Sequence, residues 1–112
     1  MTTDSGVQTS VRCEGRNCLV SITGRITIES SPALRMLLLQ HVESPGCECL
    51  TVDLNEVPYV DTSCLAVLLE ILRAARVRKK TFYLSGLQDR PRYLLEATRI
   101  LSLFEVACEV SQ

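Results

Sequence analysis

The chain has 112 residues, of which 46% are hydrophobic, 22% are charged and 4% are aromatic, and its formal net charge is −1 at pH 7. This balance is typical of one globular domain and excludes an intrinsically disordered chain. The near-neutral charge and the absence of Trp argue against nucleic-acid binding, which relies on a basic surface and on aromatic groups that stack with bases.

Residues 1–6 are polar, and we expect them to be flexible, with one folded domain spanning residues 7–112. The N-terminus lacks the basic and apolar segments of a signal peptide, and no apolar run is long enough to cross a bilayer. The sequence therefore predicts a cytoplasmic protein that does not bind membranes.

The residues that could bind a metal ion through sulfur or imidazole are six cysteines and one histidine: Cys13, Cys18, Cys47, Cys49, Cys64, Cys108 and His41. No two cysteines have the C-x-x-C spacing of a zinc site, and one histidine does not complete a ligand set. Without a secretion signal, a disulfide framework is not expected either. We therefore expect mainly small core cysteines, with no metal ion and no cofactor.

The first half of the chain predicts a β-hairpin followed by a helix. Residues 7–11 form a weak strand, and a turn around Gly15 connects it to a better-patterned strand at residues 18–23. Ser30 or Ser31 as N-cap, with Pro32 at the first helical position, predicts a helix start. Its apolar face contains Leu34, Leu37, Leu38, His41 and Val42.

The second half alternates strands with helices. A central strand at residues 49–54 is apolar enough to be buried on both faces, as in parallel sheets. A helix follows Asp61, a short strand covers residues 81–84, a third helix opens at Arg90 and a last strand covers residues 103–108. This order predicts an α/β domain with a mixed, mostly parallel sheet of four to five strands and helices packed against it.

No enzyme motif is present in the sequence. Phosphate-binding glycine loops, a nucleophile elbow and a metalloprotease helix are all missing. His41 is expected to be a half-buried helix residue, and the turn after the central strand is expected to keep Asp53 and Asp61 apart. We therefore predict that the protein is not an enzyme.

The strongest local signal is the run Asp61, Thr62 and Ser63 at the start of the second helix. These residue types cap helix N-termini, and capping alone explains them. A second interpretation is that Thr62 or Ser63 accepts a phosphoryl group from another protein. The helix dipole and the free N–H groups favour an anion there, whereas a partner surface matched to a neutral hydroxyl does not.

Five segments together resemble STAS domains, the family of the anti-sigma-factor antagonists. Residues 60–65 resemble its Asp-Ser/Thr-Ser-Gly-Leu motif, and the other segments resemble its strand ends and its C-terminal close: residues 22–26, 52–54, 84–87 and 101–106. The likeness runs from about Val7 to Val110.

The resemblance implies a switch protein. In such antagonists, the unphosphorylated domain binds an anti-sigma factor that is also a serine/threonine kinase and thereby frees the sigma factor. The kinase phosphorylates the hydroxyl directly after the motif aspartate, and a phosphatase reverses the reaction. That hydroxyl belongs to Thr62 in this chain, with Ser63 as the alternative.

The resemblance also implies a partner-binding surface on a monomer or weak dimer, formed by Asp61, Thr62, Ser63, Cys64, Arg25 and Thr27. Cys64 replaces the usual glycine of the motif, and Thr27 replaces a frequent acidic residue near the phosphorylation site. Two alternatives follow. One is a scaffold or sensor subunit of a stress-signalling complex in which the hydroxyls only cap the helix, and the other is an enzyme with Cys64 as its nucleophile.

Overall fold

The computed structural model describes residues 7–106. Within this range the elements are β1 (Val7–Glu14), β2 (Asn17–Gly24), α1 (Ser31–Glu43), β3 (Cys49–Glu56), α2 (Thr62–Val77), β4 (Thr81–Ser85), α3 (Asp89–Ala97), a 3₁₀ turn (Leu101–Leu103) and β5 (Glu105–Val106). The predictions for residues 1–6 and for the final strand beyond Val106 lie outside the described residues. None of the helices in the described range is long and apolar enough to span a membrane.

The strands form one sheet in the order β1-β2-β3-β4-β5. The β1–β2 pair is antiparallel, and every later pair is parallel. Because parallel neighbours need a crossover between them, α1, α2 and α3 each connect one parallel strand to the next. The predicted α/β class and the mixed, mostly parallel sheet are confirmed.

One face of the sheet forms the hydrophobic core with the helices. Alternate residues of β3 are buried, namely Leu50, Val52 and Leu54, and they share one core cluster with Leu38 of α1 and Ile71 of α2. The residues between them, Cys49, Thr51 and Asp53, are only half-buried. The prediction that the central strand is buried on both faces is therefore wrong, because the alternating burial shows that helices cover only one face.

The β1–β2 hairpin contains a disulfide that the sequence did not predict. Cys13 and Cys18 lie opposite each other across the two strands, with their Cα atoms 4.1 Å apart, and their sulfurs are bonded. The expectation of unbonded cysteines is therefore wrong for this pair. The sequence spacing of the two cysteines does not predict the bond. The bond forms only because the turn at Gly15 sets a strand register in which Cys13 pairs with Cys18. Of the other cysteines in the described range, Cys47 and Cys64 are buried free thiols.

Reduction of this disulfide is expected to lower the free energy of unfolding by only about 1 to 2 kcal/mol, because it closes a short loop between positions that the hairpin already pairs. Denaturant titrations with and without dithiothreitol measure the change. The Cys13→Ser variant serves as the control and should not respond to the reductant. Alkylation of Cys13 and Cys18 in the denatured protein before any reduction would contradict the bond.

Candidate functional site

The start of α2 is held in place by the segment that follows β2. Ile26 forms an isolated parallel bridge with Val60. The Ile26 N–H donates to the Tyr59 carbonyl at 3.0 Å, and the Asp61 N–H donates to the Ile26 carbonyl at 3.1 Å. Ile26 and Val60 are both buried, so hydrophobic packing supports the bridge. The bridge places Arg25 to Ile28 directly beside the first turn of α2.

Asp61 is the N-cap of α2 and also the centre of a wider hydrogen-bond network. Its Oδ1 accepts from the Ser63 N–H at 2.9 Å, which is the capping bond, and also from the Ser63 hydroxyl. Its Oδ2 accepts from the Ile28 N–H at 3.0 Å. One carboxylate therefore caps the helix and fastens the segment after β2 to it. The capping role predicted for Asp61 is confirmed.

These donors stabilise the charged form of Asp61. Its pKa lies below the usual range, mainly because the Ser63 hydroxyl donates a hydrogen bond to it. Partial burial opposes this shift, and the backbone N–H groups of Ser63, Ile28 and Cys64 reinforce it. Asp61 is therefore a fixed negative charge at neutral pH and not a candidate general acid.

The two predicted acceptor hydroxyls have different surroundings. Thr62 is exposed in the first turn of α2, and its hydroxyl has no hydrogen-bond partner among residues 7–106. Ser63 is half-buried, and its hydroxyl contacts the Asp61 carboxylate and lies 2.7 Å from the Ser31 hydroxyl of α1. Thr62 is thus accessible to another protein, whereas Ser63 connects two helices.

Cys64 lies entirely in the core, with no exposed surface. Burial, with a smaller contribution from the Asp61 charge, raises the pKa of its thiol to about 12. Its side chain contacts no partner from this position, so its assignment to the partner-binding surface is wrong. Complete burial also keeps the thiol out of reach of a substrate, and the raised pKa favours its neutral form, so both observations argue against the alternative in which it is a nucleophile.

Two surface depressions flank the start of α2. The first, the Thr62 cleft, has a volume of about 570 Å³ between α2 and α3, and its lining includes Tyr59, Thr62, Arg90 and Tyr93. The second, the α1–α2 groove, has a volume of about 380 Å³ and is lined mostly by apolar side chains. Ile28 and Met36 in this groove are 71% and 69% exposed.

Comparison with known proteins identifies the family. The model of the family described as "Mlab, STAS domain" matches residues 9–105 of the chain. The chain is a STAS domain. The anti-sigma-B factor antagonist of Listeria monocytogenes is 29% identical to this STAS domain over 87 residues, which cover 78% of this chain and 75% of that protein.

Solved structures agree on the fold of this STAS domain. An anti-sigma factor antagonist from Mycobacterium paratuberculosis superposes with a TM-score of 0.80 at 20% identity, covering 95% of this chain and 89% of that one. The Bacillus cell fate determinant SpoIIAA in its phosphorylated form superposes with a TM-score of 0.71 at 10% identity, covering 92% of this chain and 94% of that one. The fold that the sequence resemblance implied is confirmed.

Thr27 belongs to the turn before α1. Its carbonyl accepts from the N–H groups of Ser30 and Ser31 at 3.0 and 2.9 Å, and its hydroxyl accepts from the Glu29 N–H at 3.3 Å. The Ser30 hydroxyl, in turn, accepts from the Thr27 N–H at 3.0 Å, so Ser30 holds this turn and makes no side-chain cap of α1. Thr27 therefore shapes the segment beside Asp61.

Several residues of the site in this STAS domain were missed by sequence analysis. Tyr59, Arg90 and Tyr93 line the Thr62 cleft, and Ile28 and Met36 line the α1–α2 groove. For all of these except Arg90, the sequence signal that could have indicated an exposed site is an apolar or aromatic residue on the polar side of a helix or in a turn. Tyr93 is 70% exposed, for example, although neighbouring Leu94 and Leu95 pack in or against the core.

The remaining candidates for chemistry lie apart from the site. Asp53 accepts from the Asn55 N–H at 2.9 Å, so it and Asp61 have separate partners. His41 is half-buried, and its Nδ1 lies 3.0 Å from the Leu37 carbonyl of its own helix. Among residues 7–106, no group of three or more His, Cys, Asp or Glu side chains is placed to hold a metal ion.

Proposed function

We propose that this STAS domain is an anti-sigma factor antagonist that binds a kinase-type anti-sigma factor and is released from it by phosphorylation of Thr62. The observation that carries the proposal is the exposed, unpartnered Thr62 hydroxyl beside a Ser63 hydroxyl that is fully engaged. Support also comes from the relatives that are named as anti-sigma factor antagonists.

The partner surface in this proposal is centred on Thr62. It includes the Thr62 cleft on one side and the α1–α2 groove on the other. Arg25 lies at its edge over the Tyr59 ring, and the segment around Thr27 lies beside Asp61. The exposed Ile28, Met36 and Tyr93 give this surface the apolar contacts that protein interfaces need. The proposal describes a cytoplasmic binding module without enzyme activity that acts as a monomer or weak dimer, and a phosphatase restores the unmodified form.

Phosphorylation at this position changes binding more than it changes the fold. A phosphate adds nearly two negative charges at neutral pH, and the N-terminus of α2 accommodates them because its dipole and free N–H groups favour anions. A partner that fits the neutral hydroxyl has to desolvate the phosphate and provides no cation of its own to match it. Release of the partner therefore needs no conformational change in the STAS domain.

Thr62→Glu is expected to weaken binding to the kinase-type anti-sigma factor about 30-fold or more, equivalent to about 2 kcal/mol, because it places a charge in the interface. Thr62→Ala is expected to bind like the wild type. Isothermal titration against candidate kinase-type anti-sigma factors from the same genome measures both. Thr9→Glu introduces the same charge on exposed strand β1 and serves as the matched control, with unchanged binding.

Equal binding by wild type, Thr62→Ala and Thr62→Glu would contradict the phosphorylation switch. The run Asp61, Thr62 and Ser63 would then act only as a helix cap, and the scaffold or sensor function would be preferred. Phosphorylation by the kinase, followed by mass spectrometry of the peptide that contains Thr62 and Ser63, identifies the modified residue. Modification of Ser63 instead of Thr62 would overturn the site assignment.

A further inference from the structure

Two arginines from distant parts of the chain lie against the ring of Tyr59. The guanidinium carbon of Arg25, just after β2, is 4.6 Å from the ring centroid, and that of Arg90, in the first turn of α3, is 5.7 Å from it. Such cation–π contacts hold guanidinium groups without neutralising their charge. Tyr59 thus concentrates two positive charges next to the start of α2.

Neither arginine has a carboxylate partner among residues 7–106. Other arginines of the domain behave differently, since Arg35 forms a two-bond ion pair with Glu70 at 2.7 and 2.6 Å. Arg90 also lines the Thr62 cleft together with Thr62 itself. The cleft lining therefore contains both the exposed hydroxyl and a guanidinium that forms no ion pair.

We propose that Arg90, supported by Arg25, binds the phosphate of phosphorylated Thr62 within the cleft. The inference rests on the proposed function only in taking Thr62 as the modified residue. A guanidinium is planar and donates two parallel hydrogen bonds to phosphate oxygens, which suits it to this role better than a lysine. The cleft, at about 570 Å³, has room for the group.

In this arrangement, phosphorylation changes the surface charge of the domain in two ways. Before modification, Arg90 in the cleft lining and Arg25 on the Tyr59 ring present their positive charges to the anti-sigma factor. After modification, the phosphate neutralises these charges and fills the space beside Tyr59. The phosphorylated domain therefore loses a cationic surface as well as gaining an anion, and its own arginines shield the phosphate.

The other charged groups facing the cleft oppose the phosphate. Asp61 lies at the N-cap of α2 and Asp89 at the start of α3, and both carboxylates belong to the cleft lining. The charge of Asp61 is stabilised by its Ser63 and Ile28 donors. A phosphate in the cleft is thus attracted by the arginines and by the N–H groups of α2, and it is repelled by the two aspartates. We expect the arginines to outweigh the aspartates, because a guanidinium adds paired hydrogen bonds to its charge attraction for phosphate oxygens.

The test is the second pKa of the phosphate, which is about 6 in a free phosphate ester. Phosphothreonine is incorporated genetically at position 62 so that no kinase is needed, and ³¹P NMR follows the titration. The wild-type phosphate is expected to have a pKa about one unit below this value, because nearby cations favour the dianion. Arg90→Gln should reverse at least half of the shift, Arg25→Gln a smaller part, and Asp89→Asn should deepen it.

Arg12→Gln is the matched control, because it removes one exposed arginine charge from β1, away from the cleft. An Arg90→Gln protein whose phosphate titrates like that of Arg12→Gln would overturn the proposal, and the arginines would then be assigned to an acidic group of the partner. Arg90→Lys should keep only part of the shift, because it preserves charge but not the paired hydrogen bonds. The measurement involves no partner, so its failure is distinguishable from a failure of the binding titration.

Discussion

Replacing Asp61 with Ala is expected to lower the free energy of unfolding by about 3 kcal/mol at pH 7. The change removes the N-cap of α2, which costs about 1 kcal/mol, and it also removes charge-assisted hydrogen bonds from the Ser63 hydroxyl and the Ile28 N–H. Chemical denaturation monitored by circular dichroism measures the loss. A loss below about 1 kcal/mol would mean that Asp61 acts as an ordinary surface cap.

The Asp61→Asn variant distinguishes the stabilisation due to helix capping from that due to the carboxylate charge. Asn is as good an N-cap as Asp, but its amide offers one acceptor oxygen in place of two, so we expect a loss of about 1.5 kcal/mol at pH 7. The folded-state pKa of Asp61 lies below its unfolded value of about 3.9, so its ionisation stabilises the fold above that value. This contribution is lost as the pH falls through the folded pKa. The difference between wild type and Asp61→Asn should therefore shrink below about pH 4, and a constant difference would contradict the assignment.

Replacing Gly86 with Ala is also expected to cost about 3 kcal/mol. Gly86 has a φ of +69°, and a Cβ at this position would lie 2.8 Å from Oδ1 of Asp53 and 2.9 Å from the backbone nitrogen of Asn55. The left-handed conformation costs an alanine about 1 kcal/mol, and the contact with backbone atoms adds about 2 kcal/mol because the chain has to move. Thermal and denaturant unfolding of the purified variant measure the loss.

Two other glycines serve as controls for Gly86. Gly15 has a similar φ of +61°, but an added Cβ would meet nothing within 4 Å, so Gly15→Ala should cost only about 1 kcal/mol. Gly46 lacks the positive φ, and its nearest contact would be the Ser44 hydroxyl at 3.9 Å. Gly46→Ala should be nearly neutral. Equal losses at Gly15 and Gly86 would show that crowding against β3 has no part in the effect.

The segment around Gly86 also positions one wall of the Thr62 cleft. It lies between β4 and α3, where the chain passes close to the end of β3, and the Gln88 side chain then donates to the Asn55 carbonyl at 2.7 Å. These two contacts fix the entry into α3 and hence the position of Arg90. A bulkier residue at position 86 is therefore expected to displace the wall of the Thr62 cleft.

The elements and their order were predictable from the sequence because their signals are local. Pro32, the run that begins at Asp61 and the apolar spacing of α2 each act over a few residues, within the reach of a capping bond or one helical turn. For the same reason, the Asp61 cap and the candidate hydroxyl of Thr62 could be predicted from the sequence. The matching order of five segments then indicated the STAS family, which the family comparison confirms.

Tertiary structure alone decided how the site is assembled. The contact between Asp61 and Ile28 joins positions 33 residues apart, and that between Ser31 and Ser63 joins positions 32 apart. The arginines on Tyr59 come from opposite sides of the central strand in sequence. Such contacts depend on how the crossovers pack, and no short-range pattern encodes them.

The same reason explains the predictions that were wrong. The local motif placed Cys64 beside the exposed Thr62, but the turn of α2 directs its side chain into the core. The spacing of Cys13 and Cys18 in the sequence predicted no disulfide between them, but the hairpin register places them opposite each other. The sequence by itself determined where α2 begins and which hydroxyls stand at its start, because capping is local. Which hydroxyl is free, which thiol is buried and which charges surround them were decided only by the fold, because they depend on packing between segments far apart in the chain.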